Sequence, residues 1–128
     1  MKIAVLIARV LLGLVFLVFG LNNFLHFIPM QPMPGDAGTF ATLMYTHGWL
    51  TFHGLLYVIA GVLLIVGRYV PVGLVILGPI LVNILVFHVT LNPGGIGAGL
   101  VCAVLELFLI YAYWPAFRAI FTPKMEVG

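Results

Sequence analysis

The sequence predicts an all-α, polytopic membrane protein: an up-down-up-down four-helix transmembrane bundle with a short outer interfacial helix. Three observations carry this expectation. Of 128 residues 64% are hydrophobic and 6% charged, whereas a soluble domain carries roughly a quarter charged residues. Mean hydropathy is +1.29. Four apolar segments, at about 3–24, 50–67, 72–91 and 96–114, are each long enough to cross a bilayer. The connections are short except for an outer loop at 25–49, so residues 1–128 read as a single transmembrane domain.

Several function classes fall away early. Five basic and three acidic residues give a net charge of +2, too few and too scattered for a nucleic-acid surface. Cys102 is the single cysteine, which excludes an intramolecular disulfide and a CxxC thiol relay.

The first span, Ile3 to Phe24, is longer than the apolar core of a secretory signal, and no small-x-small cleavage site follows Gly20 closely, so it reads as a retained helix. Arg9, Gly13 and Gly20 are spaced by four and seven and share one face, and glycines on a face let a neighbouring helix approach. Asn22, Asn23 and His26 leave the membrane together at its outer end. Pro29, Pro32 and Pro34 then enforce extended backbone, and a helix start is expected near Asp36 or Thr39. Phe40, Leu43, Met44 and His47 follow with the i, i+3, i+4, i+7 spacing of an amphipathic helix that lies along the interface. With Tyr45 and Trp49 as anchors it is either a lid over the bundle or a connector along the membrane.

On the second span His53, Tyr57 and Gly61 recur every four residues. The third lies within Gly78–Gly95, GPILVNILVFHVTLNPGG, which places Asn83, His88 and Thr90 where lipid tolerates polar groups only with a partner. Pro79, Asn83, Phe87 and Thr90 share one side, while His88 stands ~140° around from Asn83 at 100° per residue. Asn92 to Gly95 form the outer turn. The last span carries a small-residue stripe, Gly95, Gly99, Cys102, with Glu106 and Tyr113 on the same side. Arg9 and Glu106 lie at matching depths, ~10 to 12 Å from the inner surface at 1.5 Å per residue, on helices expected to be neighbours. A buried ion pair between them is therefore expected, with a protonated Glu106 and an Arg9 that reaches the headgroups as the alternative.

Lys2, Arg9, Arg68, Arg118 and Lys124 all fall on or toward the side of the termini. The positive-inside rule then places both termini in the cytoplasm of a multi-pass protein of the cell (inner) membrane. All four histidines, Met30, Met33, Met44 and most asparagines gather at the opposite, outer face. From these a ligand pocket is expected of His53, Tyr57, Asn83, Phe87, His88, Asn22 and His26. Four readings of the cluster stand open. The side chains satisfy helix ends and interface water; or they hold a quinone, with histidine and Tyr57 or Asn83 on its oxygens and Phe27 or Phe87 against its ring. They could also bind copper or haem, with His26, His47, His53 and His88 as candidate ligands but no HxxH or ExxH spacing to fix a metal site. The last reading is an interaction module that binds a partner helix on its glycine faces.

Arg9 with Leu12, Gly13, Phe16 and Gly20, Gly54 with Gly61, and Glu106 resemble the DoxX-like family of small four-helix membrane proteins, and Pro79, Asn83, Phe87 and His88 resemble one subset of it. His53 stands where many relatives carry a lysine. The resemblance implies association with thiosulfate:quinone oxidoreduction or membrane redox complexes, and distant relatives act as receptor-assembly chaperones. The expected function is an accessory or assembly subunit of a quinone-linked membrane redox complex. The alternative is an enzyme or electron carrier that uses a quinone, haem or copper in the outer pocket. The expected partners are the lipid bilayer and either larger membrane redox subunits or further copies of the chain.

Overall fold

The computed structural model describes residues 1–29 and 33–128, and among these every regular element is helical. Four helices have the length and apolarity to cross a membrane. They are α1 (Lys2–Leu25), α3 (Trp49–Val66), α4 (Val70–Leu91) and α5 (Ile96–Ala112), the last entered through a single 3₁₀ turn at Pro93–Gly95. The shorter α2 (Gly35–Thr46) lies in the long connection, and α6 (Trp114–Phe117) follows α5. The expectations for Met30 and Pro32 fall outside the described residues.

Chain order and packing close the bundle into a ring: α1 packs on α3, α3 on α4, α4 on α5 and α5 on α1. Each neighbouring pair is antiparallel. Leu12, Leu64, Leu74, Leu77 and Leu109 are fully buried along its axis. Large apolar side chains such as Leu14, Val62, Val82 and Leu107 point outward from every span, a surface that belongs in contact with lipid tails.

The most extensive contact, α1 on α3, is made by glycine. A β-carbon at Gly13 would lie 2.9 Å from the Gly61 carbonyl oxygen, and one at Gly61 would lie 2.7 Å from that of Gly13. The same reciprocal contact recurs one heptad away: Gly20 against the Gly54 carbonyl and Gly54 against that of Gly20, each at 2.9 Å. Two backbones thus touch where any side chain would hold them apart. In hydrocarbon, where apolar burial between helices gains little, such van der Waals contact is what holds helices together.

Helix ends follow from local chemistry. After α1, His26 adopts a left-handed conformation (φ 54°) with its N–H on the Asn22 carbonyl, and the Asn22 Oδ1 accepts the Ile28 N–H at 2.7 Å. Asn23 Nδ2 donates to the Leu50 carbonyl at 2.8 Å and ties the end of α1 to the start of α3. Gly67, at φ 80°, closes α3 with its N–H on the Leu63 carbonyl. Only Gly67 to Tyr69 separate α3 from α4, which forces a tight antiparallel pair. The last span, expected to reach about Trp114, stops at Ala112: Pro115 sits in the first turn of α6 and cannot continue the α5 hydrogen-bond ladder, and Phe117 turns back into the core.

The glycine contact predicts a sharp contrast. Gly61→Ala should lower stability in detergent by about 1–3 kcal/mol, the scale of overpacking, because backbone rather than a movable side chain stands in the way. Gly97→Ala, with open space around its β-carbon position, should leave the thermal midpoint unchanged or slightly raised. Equal effects in a circular-dichroism melt would show that α1 and α3 do not depend on this approach.

Candidate functional site

At the end of the bundle away from the termini, α3 and α4 part and line a half-open cavity of about 740 Å³, which α2 borders. This lies within the ~300–1,000 Å³ typical of small-molecule sites. The parting has a local cause. Beside the tight turn, a β-carbon at Gly73 would lie 3.3 Å from the Ala60 carbonyl, so small residues let the pair close. Toward the far end bulky residues face the gap: Leu50, His53 and Tyr57 on α3, and Ile80, Asn83, Ile84, Phe87 and His88 on α4. Phe40 and Met44 of α2 and its capping residue His47 complete the wall, with Phe40 and Phe87 rings 5.6 Å apart.

The polar side chains on this wall share one device. His53 Nδ1 lies 2.7 Å from the Trp49 carbonyl and His88 Nδ1 2.8 Å from that of Ile84. Asn83 Nδ2 donates to the Pro79 carbonyl at 3.0 Å and Thr90 Oγ1 to that of Val86 at 2.7 Å. Each bond runs one helical turn back; for the histidines and Asn83 it satisfies one polar atom and leaves the other, and for Thr90 it uses the hydroxyl proton. Around them the wall is aromatic. The Trp49 and His53 rings are stacked at 6.3 Å, Tyr57 meets His53 at 6.3 Å and Phe16 edge-on at 5.0 Å, and Phe87 stands edge-on to His88 at 5.2 Å.

Of the residues expected in the pocket, His53, Tyr57, Asn83, Phe87 and His88 line this cavity. Asn22 and His26 do not; Asn22 is occupied by the turn after α1, and the His26 ring packs against Tyr45 of α2 at 5.4 Å. Spacing along α1 placed them at the right height but could not show that the chain turns there. Of the candidate metal ligands His47, His53 and His88 line the cavity and His26 does not; among the described residues no group of three or more His, Cys, Asp or Glu side chains could hold a metal ion. Ile80 and Ile84 escaped the sequence reading because an isoleucine on a uniformly apolar span carries no distinguishing signal, although with Phe87 and His88 they keep one helical stripe.

The expected Arg9–Glu106 ion pair is not formed. Glu106 is 4% exposed, and among the described residues neither carboxylate oxygen has a hydrogen-bond partner. Its Oε2 instead faces Gly78 of α4, 3.7 Å from where a β-carbon would be. Arg9 lays its guanidinium on Gly67, at the carboxyl end of α3, and donates to the Tyr113 hydroxyl at 3.5 Å. The reason is directional: helical side chains lean toward their own amino terminus, and α1 and α5 run opposite ways. Arg9 therefore leans toward the termini and Glu106 away from them, although their Cα depths match. The carbonyl-bearing ends of α3 and α5 supply the partial negative charge that receives the guanidinium.

Fold and site together define a four-span helical membrane protein with a largely apolar pocket between two spans at one end. The DoxX family model matches residues 4–89, and the chain belongs to that family. The matched stretch contains the glycine pairs and every pocket residue on α3 and on α4 up to Val89; Glu106 and Tyr113 lie beyond it. Comparison with curated proteins and with solved structures found no match.

Arg9 and Glu106 should therefore behave independently. Arg9→Met should cost about 1–2 kcal/mol through the lost helix-end interactions, Glu106→Gln should leave stability in detergent unchanged or raised, and the double variant should equal the sum within about 0.5 kcal/mol. A double variant more stable than the sum of the single changes by over about 1 kcal/mol would reinstate the pair.

Proposed function

We propose that this chain is an accessory subunit of a membrane redox complex and holds a quinone-class ring in the α2–α3–α4 cavity. The observation that carries the reading is the cavity itself: it is large enough for a substituted ring with part of its tail, its wall is aliphatic and aromatic, and its few polar atoms converge from His53, His88, Tyr57 and Asn83. Bound there, such a ring supplies two-electron chemistry. The protein's own residues bind and orient it: Phe40 and Phe87, already in contact, offer one aromatic wall to its face, and the imidazoles and Tyr57 can reach its oxygens. Electron exchange is assigned to a partner subunit, since Cys102 is single and buried in the core and offers no dithiol.

The distribution of Lys2, Arg9, Arg68, Arg118 and Lys124 supports an orientation with both termini cytoplasmic and the cavity toward the outer side. A reporter fused after Gly128 should read as cytoplasmic and one inserted near Asp36 as exported; the same compartment for both would overturn the orientation and the span count together.

Ligand binding is testable through tryptophan. Trp49 lines the cavity, whereas Trp114 stands in α6 at the opposite end. Titration of the detergent-purified protein with a short-chain benzoquinone should quench emission saturably. Trp49→Phe should abolish the saturable component and Trp114→Phe should retain it. Linear quenching alike in both variants would mean that the quinone merely dissolves in the micelle, and the proposal would fail.

A further inference from the structure

We infer that the pocket selects the reduced, dihydroxy form of a quinone-class ring over the oxidised form, an inference that rests on the ligand class proposed above. What decides it is which polar atoms on the wall remain free once the bonds within each helix are made. A carbonyl oxygen brings no proton of its own, so the bonds from His53 to Trp49 and from His88 to Ile84 require the proton on Nδ1. In the neutral ring Nε2 then carries a lone pair and no hydrogen. Neither Nε2 makes a hydrogen bond among the described residues. The His88 ring packs closely on the outer turn: a β-carbon at Gly95 would lie 3.2 Å from that Nε2 and 3.2 Å from Asn92 Nδ2, so only glycine fits there without a shift.

The other polar atoms tilt the balance the same way. Thr90 uses its only hydroxyl proton on the Val86 carbonyl and faces the cavity as an acceptor. Asn83 uses one amide hydrogen on Pro79, keeping Oδ1 and one N–H. Tyr57 can donate or accept. His47, which caps α2, makes no side-chain hydrogen bond among the described residues. The two imidazoles that flank the gap from α3 and α4 thus both present acceptors. An oxidised ring, which has only carbonyl oxygens, would bring lone pair against lone pair at both. A dihydroxy ring brings one O–H to each and leaves its oxygens to accept from Tyr57 or Asn83.

Three probes with the same ring test this: tetramethylhydroquinone, tetramethylbenzoquinone, and the dimethyl ether of the hydroquinone, which keeps the shape but has no hydroxyl proton. Each is titrated anaerobically into the full chain in mild detergent by calorimetry, at about pH 8, above the ordinary imidazole range. The hydroquinone is expected to bind about tenfold more tightly than either other probe, the equivalent of two ordinary neutral hydrogen bonds. His53→Phe and His88→Phe should each shrink that ratio several-fold, chiefly by weakening hydroquinone binding; a ratio that neither substitution changes would overturn the inference. Benzoquinone or the diether binding as tightly as the hydroquinone would overturn the inference and leave the ligand class standing. Failure of all three to bind would overturn the ligand class, and the inference with it.

Discussion

Everything in this molecule is arranged around the double glycine contact between α1 and α3. In water such helices would be driven together by apolar burial, but in hydrocarbon the tails of lipids are as good a partner as leucine, and only close, extensive packing separates a bundle from independent spans. Gly13 against Gly61 and Gly20 against Gly54, seven residues apart on each helix, provide that packing along most of the α1–α3 length. With one face of α3 committed in this way, its other face is left for α4. That second contact is close only beside the Gly67–Tyr69 turn, where Gly73 meets Ala60. The cavity is the consequence: one interface is closed by glycine at two levels, and the next is made of small residues at one end and of histidine, tyrosine, phenylalanine and isoleucine at the other.

The four spans, their alternation and the helix inside the long connection were legible because they depend on hydropathy, proline and glycine placement, and interfacial spacing, all of which are local. The pocket was partly legible for a different reason. Polar residues within an apolar span need an explanation, and His53, Tyr57, Asn83 and His88 drew attention by their type alone. What spacing could not convey was direction. Arg9 and Glu106 match in depth, yet antiparallel helices tilt their side chains oppositely, and that tilt separates them. Asn22 and His26 share a face with nothing in the cavity because the chain leaves the helix at His26, and a left-handed residue other than glycine gives little warning in a sequence. Phe117, buried by α6, was hidden by the continuity of hydropathy through Trp114.

The polar side chains of the far end follow a rule that the bilayer imposes. A histidine, asparagine or threonine on a spanning helix can lower its cost by bonding the carbonyl one turn back, and His53, His88, Asn83 and Thr90 all do so. The bond that stabilises the side chain also sets what it offers to a visitor. Two imidazoles tethered through Nδ1 are acceptors at Nε2, so the chemistry of the pocket is decided within each helix before any ligand arrives.

That tethering is the point on which the functional account rests, and nitrogen NMR of protein labelled in its four histidines reads it directly. In the neutral state the His53 and His88 rings, assigned by single substitutions, should show a protonated Nδ1 and a bare Nε2, and the Nε2 resonances of both should move when tetramethylhydroquinone is added. Rings that carry their proton on Nε2 and leave Nδ1 bare would contradict the account, because the pocket would then present donors where it is held to present acceptors.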